Sequence, residues 1–237
     1  MYLPFLSVQY TIFPNRTPID LSGYALSSGM KFLAISDTHG KHRLVKNLPS
    51  ADVIIHAGDV SRGGAEHSVQ DFLSWFSKLD YAHKIFIAGN HDRFFEEEPS
   101  GYINKIIPEN VVYLNDSGIS IDGINIWGSP ITPWFFNWAF NRERGKEIDK
   151  HWKRIPVNTD VLITHGPPYG ILDTVPYGHV GCEELLKRVK KIKPKVHIFG
   201  HIHEAYGNAE NRDTRFINVS VLDDQYALRN APVEFTI

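Results

Sequence analysis

The chain of 237 residues has one cysteine, Cys182, so it can form no intramolecular disulfide and no Cys-rich structural zinc site. A lone thiol suits a reducing compartment, and the expected location is cytoplasmic. Net charge is also scarce. Lys and Arg total 25 against 27 Asp and Glu, a balance of −2, which supplies no global field for a nucleic acid or an anionic membrane surface. No stable nucleic-acid binding is expected, and any phosphate must be held locally. Long apolar runs are missing as well: no window reaches the roughly 18 apolar residues of a membrane span, so no membrane association is expected. Internal repeats and low-complexity tracts are absent. What remains is an ordinary globular composition, 42% hydrophobic and 22% charged, with twelve histidines that need a destination.

Residues 1–29 carry Arg16 as their one basic residue and break their apolar stretches at Pro4 and Pro14, which does not make a signal peptide. They read as an N-terminal extension, loosely ordered, ahead of a single domain over 30–237. From Met30 onward, short runs rich in Val and Ile recur, each closed by turn residues: Lys31 to Ser36, Val53 to Ala57, Lys84 to Ala88, Val161 to Thr164 and Val196 to Phe199. Such runs predict buried strands. Between them, 183–193 predicts an amphipathic helix with Leu185, Leu186, Val189 and Ile192 on one face, ended by Pro194. Asp122-Gly123 between two alternating runs predicts a hairpin. The pattern is α/β, with β-α units and some antiparallel strands.

Each of five predicted strands runs directly into metal-ligand types: Asp37-Thr38-His39, Gly58-Asp59, Gly89-Asn90-His91-Asp92, Thr164-His165-Gly166 and Gly200-His201-Ile202-His203. Ligands of α/β sheets bind beyond the carboxyl ends of strands, so position strengthens what isolated matches would not. Two divalent cations held close together repel unless an anion bridges them, and an aspartate supplies that charge. Imidazoles with carboxylate or amide oxygens form a mixed N/O set suited to manganese (Mn²⁺), Fe²⁺ or Zn²⁺. Such a centre acts as a Lewis acid, lowers the pKa of bound water and clamps an in-line displacement at phosphorus.

The ordered series D-x-H, G-D, G-N-H-D, H-G and G-H-x-H, from Met30 to about His203, resembles the calcineurin-like metallophosphoesterases. Asn115-Asp116-Ser117-Gly118, Gly128-Ser129-Pro130, Trp134-Phe135, Leu162 to Pro168 and Gly200 to Gly207 narrow the resemblance to the MPPED-like subgroup, relatives of class III cyclic-nucleotide phosphodiesterases. The resemblance implies a four-layer αββα sandwich of two mixed sheets flanked by helices. It implies two divalent metal ions, with Asp37, His39 and His203 on the first, Asp59 bridging, and Asn90, His165 and His201 on the second. His91 would be a proton donor and not a ligand, with Asp92 orienting its ring. The implied activity is hydrolysis of cyclic nucleotides or related small phosphodiesters by a metal-bound hydroxide. The alternatives are a phosphomonoesterase of the same fold and a non-catalytic protein-binding scaffold. Gly58-Asp59-Val60-Ser61-Arg62-Gly63 departs from the G-D-x-x-D-R-G pattern of the family's protein phosphatases, which argues against phosphoprotein substrates.

Other residues have plainer readings. His56, His83 and His197, within or at the edges of strands, are expected to be hydrogen-bonded structural residues. Trp127, Trp134, Phe135, Phe136 and Trp138 either stack a nucleobase at the mouth of the site or pack around the hairpin. The basic residues from Lys187 to Lys195 alternate with the leucine face and read as a solvated helix surface. Cys182, after Gly181, stands at a predicted helix start, where packing is its expected role.

Overall fold

A computed structural model describes residues 29–237, so the extension expected over 1–29 lies, but for Gly29, outside the described residues. Four strands come first: β1 (Lys31–Ile35), β2 (Val53–Ala57), β3 (His83–Ile87) and β4 (Val112–Tyr113). The hairpin β5 (Ser117–Ile121) and β6 (Ile124–Ser129) follows, then β7 (Thr132–Pro133), β8 (Asn141–Arg142), β9 (Val161–Thr164), β10 (Thr174–Val175), β11 (Gly178–His179), β12 (Val196–Phe199), β13 (Gly207–Glu210), β14 (Arg215–Asn218) and β15 (Val233–Thr236). One five-stranded sheet has the order β15-β1-β2-β3-β4, and a six-stranded sheet has the order β13-β14-β12-β9-β6-β5. Both are mixed: the central strands are parallel, while β15 on β1, β13 on β14 and β5 on β6 run antiparallel.

Strand alternation explains the layers. Phe32, Ala34, Ile55 and Ile85 of the first sheet meet Ile126, Val161, Ile163, Ile198 and Ile217 of the second in one buried cluster between the sheets. The intervening residues face outward. Leu33, Ile54 and Phe86 are covered by Val69, Phe72, Leu73 and Phe76 of α1 (Glu66–Ser77). Leu162, Phe199 and Phe216 cluster with side chains from two further helices. Numbered in chain order with α2 (Phe94–Glu97) and α3 (Ser100–Ile106), these are α4 (Lys146–Trp152) and α5 (Glu183–Ile192), which bury Ile148, Trp152, Leu185 and Val189. Each such side chain, fully buried, contributes about 1.5–3 kcal/mol. The result is the four-layer αββα sandwich.

Local chemistry accounts for the turns. Asp122 (φ 47°) and Gly123 (φ 82°) both take the left-handed conformation that a tight two-residue hairpin requires. Helix α5 begins where the Cys182 sulfur accepts the Leu185 N–H at 3.4 Å and stops at Lys193, left-handed at φ 52°, just before Pro194. Burial pushes the Cys182 thiol up to about 11, so it stays protonated and serves as a packed cap.

Asp116 ties the hairpin to α4. Its carboxylate accepts from Ser129 Oγ (2.7 Å), His151 Nδ1 (2.5 Å) and Arg154 Nη1 (3.0 Å). Burial pushes this carboxyl up, but the hydrogen bonds and charges of its partners hold it below the usual carboxylate value. A depressed folded-state pKa means that its stabilisation is complete above about pH 4 and is lost as pH falls through the folded value. Asp116→Ala is expected to cost about 1–3 kcal/mol at neutral pH. In urea unfolding, the gap from wild type should narrow below about pH 4.

Candidate functional site

The parallel strands of both sheets deliver their carboxyl ends to one edge of the sandwich. Asp37 and His39 follow β1, Asp59 follows β2, Asn90 and His91 follow β3, His165 follows β9, and His201 and His203 follow β12. Asp37 (φ 55°), His39 (φ 42°), Asp59 (φ 55°) and His201 (φ 69°) are all left-handed, conformations that non-glycine residues seldom adopt and that cluster at functional sites. Glycine is required beside them by close approach. A Cβ on Gly89 would run into the Asp59 carboxylate, and one on Gly200 into Asp37 and Ser36.

All seven expected metal ligands are brought together. Asp59 Oδ2 lies 3.4 Å from His165 Nε2, 3.6 Å from His39 Nε2 and 4.0 Å from His91 Nε2, while Oδ1 accepts the His91 N–H at 2.8 Å. Asn90 Oδ1 is 2.9 Å from His165 Nε2, and the His201 ring is 5.0 Å from that of His165. Asp37 Oδ1 is 3.6 Å from His203 Nε2, and the Asp37 carboxylate also accepts from Ser36 Oγ, Ser220 Oγ (2.5 Å) and the His201 N–H. Three groups of side chains can therefore each hold a cation: Asp37, His39 and His203; His39, Asp59 and His91; and Asp37, Asp59 and His165.

Backbone carbonyls aim the imidazoles. His165 Nδ1 donates to Ala57 O (3.0 Å), His203 Nδ1 to Asp223 O (3.0 Å) and His91 Nδ1 to Arg62 O (2.9 Å), which turns each Nε2 toward the buried carboxylates. His39 differs: it is 2% exposed, and neither ring nitrogen has a hydrogen-bond partner among the described residues. An imidazole buried without partners is costly unless something else satisfies it.

Charge is balanced here by pairing of imidazole with carboxylate. Burial alone would push His165 down, yet the charge of Asp59 and its hydrogen bond push it up to about 9. His203 likewise resists burial and rises to about 9 beside Asp37. Asp37 and Asp59 stay well below the usual carboxylate range despite burial, held there chiefly by His203 and His165 respectively. Burial pushes His39 down to about 4 and His201 down to about 3.

Asp92 departs from expectation. Its carboxylate does not reach the His91 ring; it accepts from the N–H groups of Val60, Ser61 and Gly89 and from Ser61 Oγ, bracing the loop after β2 against the loop after β3. Burial and the charge of Asp59 push it up to about 6. The His91 ring is held instead by Arg62 O, by the Trp138 ring at 4.1 Å and by the edge of His39 at 4.7 Å. His56 and His197 have structural settings: each Nε2 meets a threonine hydroxyl, Thr38 at 2.9 Å and Thr164 at 2.8 Å. The reading from motifs alone missed Ser220, Asp223 and Tyr226, whose ring lies 5.0 Å from His39 and 5.1 Å from His203. The Ile217-Asn218-Val219-Ser220 run, another strand passing into polar residues, was their one sequence signal. A cleft of about 600 Å³ opens over the cluster, lined also by Arg93, Phe136 and Trp138.

The calcineurin-like phosphoesterase family profile matches residues 30–205, the span that supplies every one of these strand ends up to His203. The chain belongs to that family. Among curated relatives of this calcineurin-like phosphoesterase, human metallophosphoesterase domain-containing protein 1 is 40% identical over 86% of this chain and 69% of its own length. UPF0046 protein T07D4.2 of Caenorhabditis elegans is 37% identical over 88% of this chain and 60% of its own. The crystal structure of TT1561 from Thermus thermophilus shares the fold, with a TM-score of 0.55 and 14% identity over 80% of this chain and 88% of that one. No helix among the described residues is long and apolar enough to cross a membrane.

Proposed function

We infer that this calcineurin-like phosphoesterase hydrolyses small phosphodiesters, cyclic nucleotides among them, at a centre for two divalent cations. The observation that carries the reading is His39, a buried imidazole with both nitrogens unpartnered, set between Asp37 and Asp59 in a donor set of imidazole, carboxylate and amide groups. Asp37, His39 and His203 would hold one cation, Asn90, His165 and His201 the other, with Asp59 between them. Bound there, Mn²⁺, Fe²⁺ or Zn²⁺ supplies Lewis acidity and lowers the pKa of water.

The chain's own groups do the rest. With Nδ1–H committed to Arg62 O, His91 presents Nε2 to the cleft beside Asp59. In its imidazolium form the ring would give the Nε2 proton to the departing alkoxide. Trp138 and His39 keep the ring from rotating, and Asp92 is a positioning residue that fixes the loops bearing Asp59 and His91.

The test is hydrolysis of cyclic nucleotides, linear diesters and monoesters by the metal-reconstituted protein, with metal content measured alongside. Diester turnover that chelation abolishes is expected. A fully loaded protein that turns over none of them would favour the scaffold reading, and faster monoester turnover the phosphomonoesterase. Cation uptake offers a separate check. His165 and His203, pushed up to about 9, are protonated at neutral pH and must lose those protons to bind a cation. Affinity is expected to rise between about pH 6 and 9, with release of about two protons near pH 7, read by calorimetry in buffers of different ionisation enthalpy.

A further inference from the structure

Beside the cleft lies a second cavity of about 280 Å³ that shares Phe135 and His201 with it. Its walls include the end of β7 and the residue after it, Pro133 and Trp134, and the β10–β11 hairpin, with Val175, Tyr177 and Val180, beside the turns that follow β9 and β12. The hairpin is pinned at its base. The buried Asp173 carboxylate accepts from the N–H groups of Gly170 (2.8 Å) and Gly181 (2.9 Å) and from His179 Nδ1 (2.7 Å). On this anchored frame Tyr177 stays 76% exposed and Trp134 52%, aromatic surface for which the packing of the core gives no account.

The polar groups narrow what fits. Arg144 lies in the lining, where its two Nη groups donate to Gly181 O and Val180 O, both at 2.8 Å, which ties the guanidinium to the wall. Glu204 places a carboxylate in the same wall and disfavours a negatively charged group there. Aromatic faces, apolar walls and one cation, Arg144, offset by one carboxylate, Glu204, suit an uncharged aromatic group.

We propose that this cavity is a binding subsite for the uncharged aromatic ester arm of a phosphodiester whose phosphoryl group occupies the adjoining cleft. It rests on the phosphoesterase reading and adds the substrate class. Arms bearing a further phosphate or carboxylate are disfavoured, whereas a neutral aromatic ring enters between Trp134 and Tyr177.

Calorimetric titration of the metal-loaded full chain with dimethyl phosphate, methyl phenyl phosphate and methyl 4-carboxyphenyl phosphate tests this. The phenyl ester is expected to bind about 10-fold or more tightly than the dimethyl ester, and the carboxylate is expected to cancel most of the gain. Trp134→Ala and Tyr177→Ala, both at exposed positions, should each bring the phenyl-to-methyl ratio toward one. A wild-type ratio near one, or a ratio unchanged in both variants, overturns the subsite. Hydrolysis of bis(4-nitrophenyl) phosphate by the same preparation, scored separately, separates the two failures: turnover without the binding preference overturns the subsite alone. Failure of all three ligands to bind, with no turnover, overturns both readings.

Discussion

Asp59→Ala is expected to remove at least one cation and to lower turnover by about 10⁴-fold or more, the order lost when a member of a catalytic constellation is deleted. The physical reason is the position of Oδ2, within 3.4 to 4.0 Å of His165, His39 and His91. No other carboxylate reaches all three among the described residues. Without it, two neighbouring cations face each other uncompensated, and His165 loses the charge that holds its proton in the cation-free protein. Every substrate should suffer alike, whatever its leaving group. Metal analysis beside kinetics checks the outcome; an Asp59→Ala protein that retains two cations and normal turnover would refute the bridging role.

His91→Ala should behave differently. Its imidazole is expected to hold a proton and not a cation, so both cations should remain while turnover falls by roughly 10²- to 10⁴-fold, the usual contribution of general acid catalysis. The loss should depend on the leaving group. A nitrophenolate departs with little protonation, whereas a ribose alkoxide needs a proton, so the variant should be hurt far less with the activated aryl ester. The geometry allows the contrary result to be recognised, because His91 Nε2 is 4.0 Å from Asp59 and belongs to one of the groups able to hold a cation. Loss of a cation would make His91 a ligand, and an equal penalty with both esters would refute its role as the acid.

The strands, the hairpin and the seven convergent side chains were legible because each depends on local pattern. Buried parallel strands read as apolar runs, and the residues at their ends must face the same edge. The glycines preceding Asp59, Asn90 and His201 were legible as motif letters, while their cause, contact with ligands from other strands, is a tertiary fact. Asp92 does not take the role that the resemblance implies, because the direction of its carboxylate depends on how the backbone turns. Its turn, closed by Asp92 N–H on Gly89 O, sends the carboxylate under the loop and away from the His91 ring. Arg62 escaped notice because its carbonyl, which any residue carries, makes the contact. The aromatic group divided: Trp127 packs on the core, Trp138 lies against His91, and Trp134, Phe135 and Phe136 remain exposed. Composition could not separate them, since each fate suits an aromatic ring equally.

The antiparallel pairing of β15 with β1 gives the site a timetable. Asp37 is among its first residues to be synthesised, yet its partner Ser220 comes 183 positions later, and Asp223, which aims His203, later still. At the usual pace of synthesis that gap is roughly 10–40 s. Throughout it β1 lacks the neighbour that completes its ladder, and the aspartate lacks the hydroxyl that fixes it. The centre is therefore finished only when its latest segment is laid down. A chain stalled before residue 220 would carry all seven of the expected ligand residues, yet lack the Ser220 hydroxyl on Asp37 and the Asp223 carbonyl that aims His203.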